Sequence, residues 1–320
     1  MFMSNMLELP SELQETTSSI EMGWKAFPLI QYQGNWIIPK VVRAVLACHE
    51  HFESLKDDII LSTLPKSGTT WLKALTFTLI NRNLYDFENQ PLLKTNPHDL
   101  VPFLELELYA NGQIPDLTCL PSPRLFATHS PYNLLTESMI KSDCRIIYLC
   151  RNPKDTFVSL WHFHNKFLPD DVKPVPIEEA FELFYKGISP RGPFWEHVLG
   201  YWKASLERPE RVLFIKYEEL KEDPTFYLRR LAEFLGCPFS EEEERQGIIA
   251  NIQRLCSFES LTSLGVNKSG NIRIGIETNN FFRRGVVGDW ENHLTAEMIE
   301  RLDQLTLQKF GCFGLVFKES

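Results

Sequence analysis

Leu64-Pro65-Lys66-Ser67-Gly68-Thr69-Thr70-Trp71 stands between an apolar run, Ile59-Ile60-Leu61, and a helix-forming stretch, Leu72-Lys73-Ala74-Leu75-Thr76-Phe77. The order reads as strand, loop, helix. A loop in that position with a glycine, hydroxyl residues and a lysine presents backbone N–H groups and the positive end of a helix to an anion, which is how phosphate cradles work. Gly68 lets the backbone turn, Ser67, Thr69 and Thr70 supply hydroxyl donors, Lys66 supplies a cation, and Trp71 supplies a stacking face. The stretch points to a nucleotide-phosphate site. It is not the ATP-type P-loop, which needs a glycine five residues ahead of a Gly-Lys pair; Ile60 to Pro65 holds no glycine, and the lysine precedes Gly68. Taken alone, the loop also fits an ordinary strand-to-helix turn with Thr69 as the cap and Lys66 in solvent.

The surrounding chain narrows the ligand. A length of 320 residues can bury a large core. The net charge of −9 argues against nucleic acid or a membrane surface as a general partner, because an excess of Lys and Arg drives those associations. Any anion must be held by a local cluster of cations. The 7 cysteines are scattered and never at C-x-x-C spacing, so neither a disulfide framework nor a zinc site is expected, and no metal is. Reduced thiols suit a cytosolic protein. The first 24 residues lack Lys and Arg and carry no long apolar run, so no secretory signal or Arg-rich transit peptide is expected. The expected address is the cytoplasm.

Residues 1–20 are polar and acidic and read as a loosely docked arm ahead of one domain over 21–320. A helix is expected from Lys40 to Phe52. The segment Asn81 to Pro123 is rich in Pro, Asn and Asp, and a connection of that length is expected to build walls for a second substrate. Arg124 to His129 reads as a short strand stopped by Pro131. Arg145 to Cys150 has the continuous apolar character of a buried parallel strand, ends in Arg151-Asn152-Pro153-Lys154-Asp155, and leads into a helix from Lys154 to Phe167. Arg211 to Lys216 is a further strand ending in Tyr217-Glu218-Glu219, followed by a helix over Thr225 to Leu235. Alternating strands and helices predict a single α/β domain, with a central parallel sheet flanked by helices and the phosphate loop after its first strand. Ligands of such sheets bind at the carboxyl ends of the strands. Lys66, His129, Arg151 and Tyr217 are therefore expected on one edge.

Through these pieces the sequence resembles the cytosolic sulfotransferases, the plant branch most closely. The resemblance rests on Pro65 to Trp71, Thr128-His129, Arg151 to Asp155 with Ser159, Lys216-Tyr217-Glu218-Glu219, Leu255-Cys256-Ser257-Phe258-Glu259, and Phe282-Arg283-Arg284-Gly285 through Trp290. It implies 3′-phosphoadenosine 5′-phosphosulfate (PAPS) as sulfuryl donor and a small hydroxylated acceptor. By that analogy Lys66, Ser67, Gly68, Thr69 and Thr70 hold the 5′-phosphosulfate. Trp71, Tyr217 and Phe258 surround the adenine, with Cys256 and Ser257 in the same match. Arg151, Ser159, Arg283, Arg284 and Gly285 hold the 3′-phosphate. His129 is implied as general base, Lys66 as the cation at the bridging oxygen, and Ser159 as a partner of Lys66 before the acceptor arrives. Physical logic agrees: guanidinium forks suit phosphate oxygens, and a near-neutral imidazole suits proton abstraction. The transferred group carries less charge than a phosphoryl group, so the reaction requires no magnesium ion.

Each residue also has a plainer reading. His129 could be a core histidine, Arg151 a helix cap or a partner of Asp155, and His162 and His164 packing residues. Phe194, Trp195, Val198, Tyr201 and Trp202 have helical spacing and are expected in the core. Three departures from the family matter. Animal members carry Lys where Ala127 stands, and Arg284 replaces the lysine of the C-terminal motif. The animal dimer motif is matched only by Glu291, Thr295, Ala296 and Glu300, so that dimer is not expected and a monomer stands as an equal alternative. Asn96 to Phe103 and Leu108 to Gly112 look most like plant members acting on hydroxyjasmonates, with flavonols and brassinosteroids as rivals. A P-loop nucleotide kinase and a non-catalytic binder of 3′-phosphoadenosine 5′-phosphate (PAP) are the alternative classes. The missing Gly-Lys loop counts against the first, and the joint presence of Lys66 and His129 against the second.

Overall fold

The runs that are apolar at every position become strands covered on both faces. A computed structural model of the chain describes residues 20–24, 27–168 and 171–318. Seven strands appear among them. β1 (Ile20–Gly23), β2 (Phe27–Tyr32) and β3 (Asn35–Ile37) form a small antiparallel sheet, and β4 (Ile59–Thr63), β5 (Leu125–Thr128), β6 (Arg145–Cys150) and β7 (Val212–Lys216) form a parallel sheet in the order β5-β4-β6-β7. In β6, Ile146, Tyr148 and Cys150 join one core while Ile147 and Leu149 join the other, and β7 divides its residues in the same way. Burial of each such aliphatic side chain contributes about 1.5–3 kcal/mol, which is why these strands show no polar alternation.

The expected helices form, Pro39–His51, Pro153–Asn165 and Pro224–Phe234 with ends shifted by one or two residues and Thr69–Ile80 longer by three residues at each end than the expected stretch. Three of these begin with proline at the first position, where its missing N–H costs no hydrogen bond. The strand at Arg124 ends at Thr128, one residue before His129. The Lys66 loop follows the first strand of the parallel sheet, which is the fourth strand among the described residues. The acidic arm expected over 1–20 lies outside the described residues except for Ile20, which opens β1.

The long segment after Ile80 folds against the sheet edge. Ala127 N–H donates to Pro102 O at 2.9 Å, so Phe103 adds a bridge beside β5. Leu104–Leu108 closes a wide π-type turn, with Leu108 N–H on Phe103 O at 3.0 Å and Tyr109 N–H on Leu104 O at 2.8 Å. The alternation Leu-Glu-Leu-Glu-Leu resembles a surface strand; the turn instead buries Glu105.

Candidate active site

The parallel sheet reverses direction of growth at β4, with β5 on one side and β6 on the other. That switch point opens a crevice at the strands' carboxyl ends. The Lys66 loop fills its floor. Lys66 sits at φ 71 and Gly68, the N-cap of the helix Thr69–Ile80, at φ 102. A Cβ on Gly68 would stand 2.7 Å from Tyr217 Cδ2 and 2.9 Å from Leu149 Cδ2, so glycine is required there for backbone angle and for space. The Thr63 and Thr69 hydroxyls, 2.6 Å apart, tie the strand end to the helix start. Lys66 Nζ lies 4.0 Å over the Phe163 ring, not on Ser159. Burial, then the positive neighbours Lys166, Arg283 and Arg151, push its pKa down to about 7. These cations crowd one another in an otherwise acidic protein, a field that an anion would relieve.

His129, just beyond β5, is fully engaged on its backbone side. Its N–H donates to Glu105 Oε1 at 2.7 Å, and its carbonyl accepts from His197 Nε2 at 3.1 Å. Its Nδ1 lies 2.7 Å from Thr63 O, which can only accept, so Nδ1 carries the proton and Nε2 keeps a lone pair. Burial, then the charge of Arg191, holds this imidazole well below the usual histidine range. His129 lines the cavity as a neutral ring with Nε2 as its acceptor nitrogen.

Arg151 follows β6 and ends beside Tyr217, its guanidinium carbon 4.6 Å from that ring's centre. Arg151 Nη2 donates to Val286 O at 2.7 Å and lies 3.3 Å from Asp155 Oδ2, so the helix-partner reading of Arg151 is also realised. Asp155 accepts from the backbone of Gly288 and Trp290 and thereby fixes the C-terminal loop over the crevice. In that loop Arg283 and Arg284 both pair with the buried Asp289, Arg284 at 2.8 Å. Gly285 at φ 64 packs on Phe258, where a Cβ would stand 2.4 Å from Cδ2. Trp71 and Tyr217 meet edge to face at 5.5 Å. Ser67 Oγ, Arg151 Nε and Arg283 Nε are buried with no hydrogen-bond partner among the described residues.

These parts line one cavity of about 1070 Å³: Lys66, Gly68, Thr69, Thr70, Trp71, His129, Arg151, Ser159, Tyr217, Ser257, Phe258, Arg283, Arg284 and Gly285 all contribute to its wall. Cys256 does not. Its side chain is buried beside Thr78, Sγ 3.5 Å from the hydroxyl, and burial pushes its thiol up to about 12. Ser257 caps the helix Phe258–Ser263 by accepting from Ser260 N–H. The aromatic helix Phe194–Glu207 lies in the core as expected, yet it serves the site from behind: Tyr201 OH donates to Ser130 O at 2.7 Å, and Tyr148 OH donates to His197 Nδ1 at 2.8 Å. His164 is buried with Nε2 3.1 Å from Trp24 O, and His162 lies beside His293.

Sequence reasoning missed His98, Lys73, Glu105 and Arg191. Lys73, buried in the helix Thr69–Ile80, donates to Val101 O at 2.7 Å and lies 3.2 Å from His98 Nδ1. His98 Nε2 lies 2.9 Å from the Thr70 hydroxyl, and burial pushes the Lys73 amine well below the usual lysine range. The signals were faint: a lone lysine in an apolar helix, and Asn96-Pro97 capping the short turn that carries His98.

A sulfotransferase domain model matches residues 56–314. The chain belongs to the sulfotransferase family. This sulfotransferase is 49% identical over 318 residues to cytosolic sulfotransferase 15 of Arabidopsis thaliana, covering 98% of this chain and 89% of that one. It is 42% identical over 316 residues to flavonol 4'-sulfotransferase of Flaveria chlorifolia, covering 98% and 97%. Among solved structures it resembles a mouse sulfotransferase complexed with PAP, with 29% identity, a TM-score of 0.67, and coverage of 88% of this chain and 94% of that one. No helix among the described residues is long and apolar enough to cross a membrane.

Proposed function

We propose that this sulfotransferase, acting in the cytosol, moves the sulfuryl group of PAPS to a hydroxyl of a small, partly apolar acceptor, with His129 as the base. The observation that carries this reading is the fixed tautomer of His129: Nδ1–H is held by Thr63 O at 2.7 Å, and the basic Nε2 shares a cavity with the Lys66 loop. PAPS supplies the sulfuryl group and leaves as PAP. The residues fit that donor. Gly68 and Gly285 let the backbone close on Tyr217 and Phe258, Trp71, Tyr217 and Phe258 offer aromatic faces, and Arg151, Arg283 and Arg284 offer guanidinium forks.

His129 Nε2 takes the proton of the acceptor hydroxyl as its oxygen bonds to sulfur and the bond from sulfur to the phosphate oxygen breaks. Thr63 O steadies the imidazolium by accepting from Nδ1–H. Lys66, recharged by the anion beside it, and the N–H groups at the start of the helix Thr69–Ile80 neutralise the charge left on the phosphate oxygen. Arg283 and Arg284 exchange part of their pairing with Asp289 for the 3′-phosphate. Most of the rate then comes from positioning and charge stabilisation.

The test is a PAPS-dependent transfer assay against hydroxylated jasmonates, flavonols and steroids, with PAP binding followed in parallel. Transfer together with PAP binding is expected. Absence of PAP binding would remove the basis of this reading, whereas PAP binding with no transfer to any hydroxyl would favour a non-catalytic binder.

A further inference from the structure

The acceptor half of the cavity contains a buried cation that the reaction above leaves unused. Arg191 lines the cavity and is 5% exposed. Its backbone is pinned to β3, its N–H donating to Trp36 O at 2.9 Å while Trp36 N–H donates to Gly192 O at 2.7 Å. Arg191 Nη2 donates to Glu105 Oε1 at 3.0 Å. That carboxylate also accepts from His129 N–H at 2.7 Å and from the Thr128 hydroxyl at 2.9 Å, so it is shared among three donors. The guanidinium meets it through one nitrogen. Nη1 is buried with no hydrogen-bond partner among the described residues.

The remaining charges of this half are balanced differently. Glu107 is matched to Arg273 at 3.1 Å, and Lys40 stands exposed at the rim. The walls between are apolar, with Ile38, Val41, Leu106, Phe163 and Phe167. An unmet donor on a buried guanidinium is costly to keep, and the group whose two oxygens match its planar fork is a carboxylate.

We propose that the acceptor is a hydroxylated organic acid whose carboxylate binds Arg191 while its hydroxyl meets His129. The proposal rests on the sulfotransferase reading and specifies its substrate class. Because Arg191 and His129 are joined through Glu105, the acid spans a short or bent distance between carboxylate and hydroxyl. After burial, Arg191 is the largest influence holding His129 neutral, so a carboxylate beside it makes Nε2 more basic as the acceptor binds. A neutral acceptor gains neither effect.

The experiment compares medium-chain hydroxyalkanoic acids and hydroxyjasmonic acid with their methyl esters in PAPS-dependent transfer, using the unaltered enzyme, Arg191→Gln and Arg191→Lys, with PAP binding measured for each. The unaltered enzyme is expected to favour acid over ester by about tenfold or more in kcat/KM. Arg191→Gln should bring the ratio near one, and Arg191→Lys should restore part of it, with PAP affinity unchanged in both. The acid-to-ester ratio of the unaltered enzyme stands as a test even if a variant fails to fold. Equal rates for acid and ester, an acid preference that survives in folded Arg191→Gln, or transfer to flavonols alone would overturn the proposal and leave the donor reading standing. Failure of the unaltered enzyme to bind PAP would overturn both.

Discussion

The two halves of the cavity are built on different plans. The half proposed to hold the donor uses short contiguous stretches, 64–71 and 281–285, and relies on backbone angle, helix end and close approach at two glycines. The acceptor half draws His129 from the end of β5, Glu105 from a π-type turn, Arg191 from a loop pinned to β3, and Phe163 from the helix Pro153–Asn165. Its working contacts join residues 24 to 86 positions apart in sequence, such as His129 N–H with Glu105 and Arg191 with Glu105. Recognition through backbone is local and general for a phosphate. Recognition through converging side chains is particular to one acceptor.

The sharpest way to break this division is to separate chemistry from donor binding. His129→Ala is expected to slow single-turnover transfer by about 10²–10⁴-fold while PAP affinity, measured by calorimetry, stays near the unaltered value. Arg283→Ala should do the reverse, weakening PAP by roughly 10–100-fold. Equal effects of both changes on PAP binding would erase the distinction between halves.

Gly68→Ala tests the backbone plan directly. The added Cβ meets Tyr217 and Leu149 at 2.7 and 2.9 Å and must accept φ 102. We expect at least about a tenfold loss of PAP affinity and a destabilisation of about 1–3 kcal/mol in denaturant titration. A variant that binds PAP normally would show that the loop is more plastic than its geometry implies.

The pH behaviour should also divide. Lys66 has a pKa pushed down to about 7 in the free protein, so above that pH it is mostly neutral and must take up a proton to meet an anion. PAP affinity should therefore fall as pH rises from 7 to 9, by up to about tenfold per unit, and Lys66→Arg should flatten the slope because a guanidinium stays charged. His129, held well below 6.5, stays neutral through this range, and kcat should show no loss from its protonation until the pH falls well below 6.5. A pH-independent PAP affinity in the unaltered enzyme would contradict the crowded-cation picture.

The smallest expected effect is at the seam between the halves. His98 Nε2 lies 2.9 Å from the Thr70 hydroxyl and its ring centre 4.1 Å from that of Phe281, so it joins the two walls of the cavity. His98→Phe should raise the KM for PAPS by about three- to tenfold with little change in kcat, and His98→Gln, whose amide can donate to Thr70, should recover part of the loss. An effect on the acceptor KM alone would place His98 wholly on the acceptor side.

Much of the donor half was legible beforehand because its chemistry is written in neighbouring residues. Lys66, Gly68 to Trp71, Arg151, Tyr217 and Arg283 to Gly285 line one cavity, whereas Ser67 of the same motif does not reach it and keeps its hydroxyl buried. Cys256 sits in the same stretch as Ser257 and Phe258, but its side chain faces Thr78, because the helical turn that brings Phe258 to the wall sends Cys256 inward. The Lys66–Ser159 contact is not made, since Nζ rests on Phe163, a residue that no motif marked. Lys73 and Glu105 were unreadable for a common reason: a charge in an apolar stretch looks like a solvated position until the fold closes another layer over it.

The sequence alone determined that strands and helices alternate, that the Lys66 loop follows an apolar strand, and that His129, Arg151 and Tyr217 follow the carboxyl ends of strands, because periodicity, turn residues and helix starts act over a few residues. Only the tertiary structure decided that Thr63 fixes the tautomer of His129, that Asp289 gathers two arginines, and that Glu105 links His129 to Arg191. Those contacts depend on side chains brought from distant segments into a water-poor cavity. There burial shifts each ionisable group, and the pairing of each is set by which other segments pack against it.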